Sequence, residues 1–265
     1  MTTPTARAHR PSPVDAARDA ATFVGRGVRH SLRSVDALLV AVMLPVCILV
    51  LFVYVFGGAI RTDGAYVDYV VPGIVLLCAA FGSAGTAVGV TQDLTTGIID
   101  RFRSMPITAS AVLAGHVVAS VLRNLVSTAI VVAVALLIGF RPTAGVGAWT
   151  AAIGLLALFM AAIATLAAAF GLVARDPEAA SAFSFAAMFL PYVSSAFVPP
   201  ETMPAALQAF AEHQPTTPII ETLRALLLGT GVDAGTAVIA VAWCTGLGAL
   251  GLLLCVVLFR RATTR

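Results

Sequence analysis

The chain of 265 residues has no lysine, a single asparagine (Asn124) and only four cysteines, and 11% of its residues are charged. A soluble globular domain carries roughly a quarter charged residues, so an ordinary water-soluble fold is excluded. The missing lysine removes two chemistries. A P-loop needs a Lys on the β- and γ-phosphates and a Schiff-base enzyme needs a Lys amine; any ATP is therefore bound by another polypeptide. Cys47, Cys78, Cys244 and Cys255 lie in apolar runs without CxxC spacing, which reads as small hydrophobes and not as a disulfide framework or a metal site. The sequence holds no HExxH, paired-carboxylate or Cys/His constellation. Ser83 in Gly82-Ser83-Ala84-Gly85 reads as helix-packing surface in preference to a nucleophile served by His116 or His213. A net charge of +3, dispersed along the chain, leaves no nucleic-acid footprint. The reading is of a chain that is not an enzyme, binds no metal or cofactor and has no nucleic-acid partner.

Hydrophobicity is abundant: 59% of residues are apolar and the mean hydropathy is +0.97. Six stretches are nearly free of charge, at 37–59, 69–90, 111–139, 149–174, 179–198 and 234–259. At about 20 residues per crossing, they predict an all-α polytopic membrane protein with six transmembrane helices, preceded by a 1–36 segment and followed by a 260–265 tail. Six Arg precede the first stretch; with Arg101, Arg103, Arg175, Arg260, Arg261 and Arg265 they share one side, against Arg61, Arg141 and Arg224 on the other. The positive-inside rule then makes both termini cytoplasmic.

Three pieces outside the spans carry pattern. In the N-terminal segment Val14, Ala17, Ala21, Val24 and Val28 recur on one helical face and Arg18, Arg26, Arg29 and Arg33 on the other, which predicts an amphipathic helix lying in the interface. Between the second and third spans, Thr95 or Thr96 caps a short cytosolic helix that ends at Pro106. Ile98, Phe102 and Met105 share one face of it, and Asp100, Arg101 and Arg103 the other; mixed charge on so short a piece favours a protein partner over the bilayer. Between the fifth and sixth spans, Pro199 to Asp233 holds two helical pieces too short to cross a bilayer. Pro204 opens the first, Pro215 stops it, Pro218 opens the second with Glu221 and Arg224, and Gly229 closes it. Re-entrant or interfacial, the pair is either a packing lid or an exit gate.

Few polar groups lie at membrane depth. His116 reads as an interfacial histidine, and Arg123, beside Asn124, as a brace that needs an acceptor among backbone carbonyls, Asp93 or another subunit. No carboxylate is central to a span, which counts against a proton-coupled multidrug exporter. A conduit for apolar or amphipathic cargo would be lined by aromatic side chains and hydroxyls, as offered by Phe81, Ser83, Thr86, Phe185, Phe189, Tyr192 and Ser195.

The stretch Gln92-Asp93-Leu94-Thr95-Thr96-Gly97-Ile98-Ile99-Asp100-Arg101-Phe102-Arg103-Ser104-Met105-Pro106-Ile107 resembles the loop after the second span of ABC type-2 exporter permeases, nearest their daunorubicin-resistance branch. A second block, from Phe189 through Pro199-Pro200-Glu201-Thr202-Met203-Pro204 and His213-Gln214-Pro215-Thr216-Thr217-Pro218 to Gly229, resembles that family's fifth span and outer region. The resemblance implies a half-transporter that pairs with a second copy or a homologous permease in a bacterial plasma membrane and sits on two copies of an ATP-binding subunit. ATP and Mg would be used by that subunit, and none would be bound here. It further implies that Asp100, Arg101, Phe102, Arg103, Met105 and Pro106 form a coupling helix supported by Arg26, Arg29 and Arg33. The cargo cavity would involve Phe81, Phe185, Phe189, Tyr192 and Ser195, and the outer gate Pro200, Pro204, Pro215, Pro218 and Arg224. The implied cargo is a small hydrophobic drug, polyketide or lipid-like metabolite, with polysaccharide or lipo-oligosaccharide export as the alternative.

Overall fold

A computed structural model describes residues 35–60, 62, 64–96 and 109–263. The predicted N-terminal helix with Arg26, Arg29 and Arg33, and the coupling segment with Asp100, Arg101, Phe102, Arg103, Met105 and Pro106, lie outside the described residues.

Nine α-helices follow one another among the described residues, with no strand: α1 Val35–Leu51, α2 Tyr66–Gly82, α3 Ala84–Thr95, α4 Ala109–Ile138, α5 Val146–Gly171, α6 Pro177–Tyr192, α7 Ala205–His213, α8 Thr216–Leu228 and α9 Ala234–Thr263. Four helical stretches are long and apolar enough to cross a membrane: Tyr66–Thr95, Leu113–Ile138, Val146–Gly171 and Ala234–Phe259. The first and fifth predicted spans form shorter helices. α1 contains Pro45, which cannot donate to the preceding turn, and its last part widens into a π-helical turn, Phe52–Phe56. A side chain at Gly57 would collide with the Val53 carbonyl.

The second predicted span, 69–90, lies within the helical stretch Tyr66–Thr95, which has one turn residue, Ser83, between α2 and α3; its backbone stays right-handed (φ −71°, ψ −17°) and its hydroxyl donates to the Ala80 carbonyl at 2.6 Å. α3 then runs on to Thr95. At its end the hydroxyls of Thr95 and Thr96 donate to Gln92 O at 3.2 and 2.7 Å; the short helix that either was expected to cap lies outside the described residues. The fifth span, expected to reach residue 198, stops at Tyr192 just after Pro191, and residues 193–197 form a buried turn.

α2, α3 and α5 are the inner helices, with α1, α4, α6 and α9 around them. One end of the bundle carries residues 57–60, 64–65, 139–145 and 199–233. There Thr143 N–H and Ala144 N–H donate to Leu227 O at 3.0 and 3.2 Å, and the Thr143 hydroxyl donates to Leu228 O at 2.5 Å, closing α8 where Gly229 turns left-handed (φ +65°). The short helical pair was expected to be re-entrant or interfacial, as a packing lid or an exit gate; Ile219, Ile220, Leu223 and Leu227 of α8 are core residues, packed against α2, α5 and α9. An apolar helix too short to span satisfies its ends inside protein, because lipid offers no hydrogen bonds.

Candidate functional site

The polar groups at membrane depth gather on one seam. α4 runs antiparallel to α2 and α3, and three glycines of that span let polar side chains reach its backbone: Gly82 receives the Asn124 carboxamide, Gly85 the Arg123 guanidinium and Gly89 the His116 ring. These glycines recur at three- and four-residue steps, so they share one helical face. Asn124 is buried, and its Nδ2 reaches toward the Ala79 carbonyl at 3.4 Å. At the far end of the seam His116 Nε2 and Asp93 Oδ2 are 2.8 Å apart, each side chain 29% exposed. His116, expected merely to reach the interface, thus joins the helices flanking the 97–108 segment. Thr86 of α3 and Ser120 and Ser127 of α4 are also buried. Thr91 ties α3 to the end of α5, donating to Gly171 O at 2.8 Å.

The opposite end is stitched by side chains donating to free carbonyls. Arg224 of α8 donates to Tyr69 O through Nε and Nη2 (3.2 and 3.1 Å) and to Ser195 O at 2.7 Å, and its guanidinium carbon lies 3.9 Å from the centre of the Tyr69 ring. The Tyr66 hydroxyl donates to Phe197 O at 2.9 Å, and the Gln214 amide reaches Leu190 O and Val193 O, which the end of α6 leaves without helical partners. The Phe197 ring lies between Phe52 (4.3 Å) and Tyr192 (5.2 Å), and Ala196 presses on Gly73, where a Cβ would come within 2.6 Å of it. Burial raises the Glu221 carboxyl above its ordinary range, an effect that Arg224, one turn on, opposes. Of the expected gate prolines, Pro200 and Pro218 are buried, Pro215 is half-buried and Pro204 is exposed.

The expected cavity residues are dispersed in the single chain. Phe185 and Phe189 point outward from α6, 68% and 64% exposed, Phe81 and Tyr192 are half-buried, and Ser195 is buried in the 193–197 turn. Ser83 hydrogen-bonds within its own helix, His116 faces Asp93, and His213 Nδ1 bonds Ala209 O at 2.8 Å, so no Ser/His pair forms among them. Among the described residues no three His, Cys, Asp or Glu side chains come together to hold a metal. Sequence reasoning missed the roles of Gly82, Gly85 and Gly89, the His116–Asp93 pair, and Gly73, Tyr66 and Gln214. For the glycines alone a signal existed, in their helical spacing opposite a helix carrying His, Arg and Asn.

A family profile described as ABC-2 type transporter matches residues 20–228. The daunorubicin resistance ABC transporter permease protein DrrB1 of Streptomyces coeruleorubidus is 32% identical over 219 residues, covering 79% of this chain and 77% of that protein. The probable doxorubicin resistance ABC transporter permease protein DrrC of Mycobacterium tuberculosis is 24% identical over 229 residues, covering 84% of this chain and 82% of its own length.

Proposed function

The chain belongs to the ABC-2 type transporter family, in its daunorubicin- and doxorubicin-resistance permease branch, and on that premise we propose that it is the membrane subunit of an ATP-driven drug exporter. It is a multi-pass membrane permease. The reading places it in a bacterial plasma membrane with both termini cytoplasmic, paired with a second copy or a homologous permease above two copies of a separate ATP-binding subunit. Its cargo is a hydrophobic or amphipathic compound, a class supported by the relatives' resistance to daunorubicin and doxorubicin.

One observation carries the mechanism: the His116–Asp93 pair clasps the two helices from which the 97–108 segment springs. A push on that segment therefore acts on α3 and α4 together and passes along their shared seam toward mid-membrane. Phe102 and Met105 would seat in a groove of the ATP-binding subunit while Asp100, Arg101 and Arg103 fix the orientation, and closure of the two ATP-binding subunits would supply the push. At the other end, cargo would leave where Arg224, Tyr66 and Gln214 now hold the 193–197 turn shut. Replacing Phe102 and Arg103 together by Ala tests this reading. Efflux of daunorubicin from cells and co-purification of the ATP-binding subunit should both fall sharply while membrane insertion is kept; unchanged efflux with unchanged co-purification overturns it.

A further inference from the structure

We propose that Glu221 and Ser195 form a proton-controlled latch at the outer end of the bundle, closed by an acidic exterior. With Glu221 neutral the 193–197 turn stays docked on α8; ionised, Glu221 draws in water, loosens the turn and lets cargo pass. The proposal rests on the reading above, which makes this end the outer one and the 193–197 turn its exit.

The latch is built on one face of one short helix. Thr217, Glu221 and Arg224 stand at four- and three-residue steps on α8 and so share a side. The first and last of them grip the main chain of a single residue: the Ser195 N–H donates to Thr217 Oγ1 at 3.4 Å, and Arg224 Nη2 donates to Ser195 O at 2.7 Å. Glu221, between them, is therefore turned toward Ser195 as well, and the Ser195 hydroxyl is among the groups that act on its carboxylate. Ser195 is 1% exposed, yet its hydroxyl makes no well-formed hydrogen bond. Buried polar groups are nearly always paired, and the group this one faces is one that gains and loses a proton.

The carboxylate is poorly served as a charge. Arg224 donates to Tyr69 O and Ser195 O and lies on the Tyr69 ring, and no ion pair joins it to Glu221. Two exposed carboxylates, Glu201 of the 200–202 turn and Glu212 of α7, repel the Glu221 charge, and Tyr69 of α2 also faces it. Asp68 of α2 accepts from the Arg141 N–H at 3.1 Å and His213 of α7 bonds Ala209 O, so both are engaged elsewhere. The other helices packed on α8 add no charge here: α5 has no charged residue, and those of α6 and α9 (Glu178, Arg260 and Arg261) lie at the far ends of their helices. Burial above all, and then the two glutamates, raise the Glu221 carboxyl above its ordinary range; Arg224 and the Ser195 hydroxyl act the other way. A raised carboxyl favours the docked arrangement fully below its free pKa, about 4.3, and that contribution is lost as pH rises through the higher docked value. Acid therefore closes the latch.

Two measurements test it, with Glu221→Gln as a permanently uncharged side chain. In the purified chain, Glu221→Gln should melt above the parent at about pH 7.5, and the gap should close as the pH falls toward about 5. A variant that melts below the parent at neutral pH overturns the latch. In cells holding the complete complex, daunorubicin efflux should be severalfold faster from the parent than from Glu221→Gln in a medium at about pH 7.5, and the two rates should converge at about pH 5. The drug titrates alike in both, so a parent-to-variant ratio that is independent of outside pH overturns the latch. Ser195→Ala keeps both main-chain bonds but removes a hydroxyl that favours the ionised carboxylate, so the pH at which efflux falls should move upward; an unmoved midpoint overturns the pairing of Ser195 with Glu221. If neither chain exports daunorubicin at any pH, the exporter reading fails, and the melting gap decides the latch by itself.

Discussion

α5 and α9 run parallel, with Gly248 over Ala162 at 3.7 Å, and at Gly251 a Cβ would come within 2.5 Å of Thr165 Oγ1 and 2.9 Å of Leu166 N. The Cys255 thiol donates to Thr165 O at 3.4 Å. α3 and α4 run antiparallel and also meet over glycines, yet there the space is taken by the ends of Asn124, Arg123 and His116. Lipid gives helices no hydrophobic reason to associate, so both seams rely on small residues and hydrogen bonds. The difference lies in what the small residue admits. Backbone against backbone has one arrangement, because neither side yields; a polar side chain over a glycine has several, because χ rotations re-aim it. The α5–α9 seam is a fixed wall, and the α3–α4 seam, whose hydroxyls stand unbonded, is adjustable.

Overpacking the wall should give the largest effect. Gly251→Val drives two methyl groups into Thr165 and the Leu166 backbone, so the helices must part, at about 1–3 kcal/mol. Thermal unfolding of the purified chain measures this, and a negligible shift would erase the distinction between the seams. Gly82→Ala tests the other side. Its methyl group collides with the Asn124 carboxamide, a side-chain end, so Asn124→Ala should recover most of the loss, with a coupling energy of about 0.5–3 kcal/mol between the two sites. No truncation should rescue Gly251→Ala equally, since its obstacle includes the Leu166 amide nitrogen of the backbone.

A smaller effect is expected at the clasp. The His116–Asp93 pair is partly exposed, so His116→Ala should cost less than about 1 kcal/mol of stability. Its effect on efflux should be disproportionately large, and exchanging the pair (Asp93→His with His116→Asp) should restore part of it. A loss of efflux no greater than the loss of stability would reduce the clasp to a packing contact.

The contrast between the seams was half legible in the amino-acid sequence. Composition and run length gave a helical membrane chain, and the prolines and Gly229 marked the ends of α7 and α8 closely. The resemblance at residues 92–107 pointed to the permease family. Hidden were features that depend on which helix stands opposite. Asp93 and His116 are 23 residues apart, and nothing local pairs them. The single turn residue at Ser83 is equally silent, because a hydroxyl bonded three residues back, here to Ala80 O, is common in helices that run on unbroken. For α8 the packing lid was one of two open readings, because an apolar segment too short to span has the same composition whether it faces lipid or protein.

The smallest expected effect serves as a control on the wall. Asp233 is exposed and caps α9, accepting from the Thr236 N–H at 2.7 Å and its hydroxyl at 2.8 Å. These bonds hold its carboxyl below the usual aspartate range. A depressed carboxyl stabilises the fold fully above its unfolded pKa, about 3.9, and loses that contribution as pH falls through the lower folded value. Asp233→Ala should accordingly melt slightly below the parent chain at neutral pH, and the gap should narrow as the medium is acidified past about pH 4. Efflux at neutral pH should stay at the parent level, since the cap begins the helix of the fixed wall and touches nothing on the adjustable seam. A gap that widened on acidification would contradict the cap, and a loss of efflux as large as that of His116→Ala would show that the wall moves too.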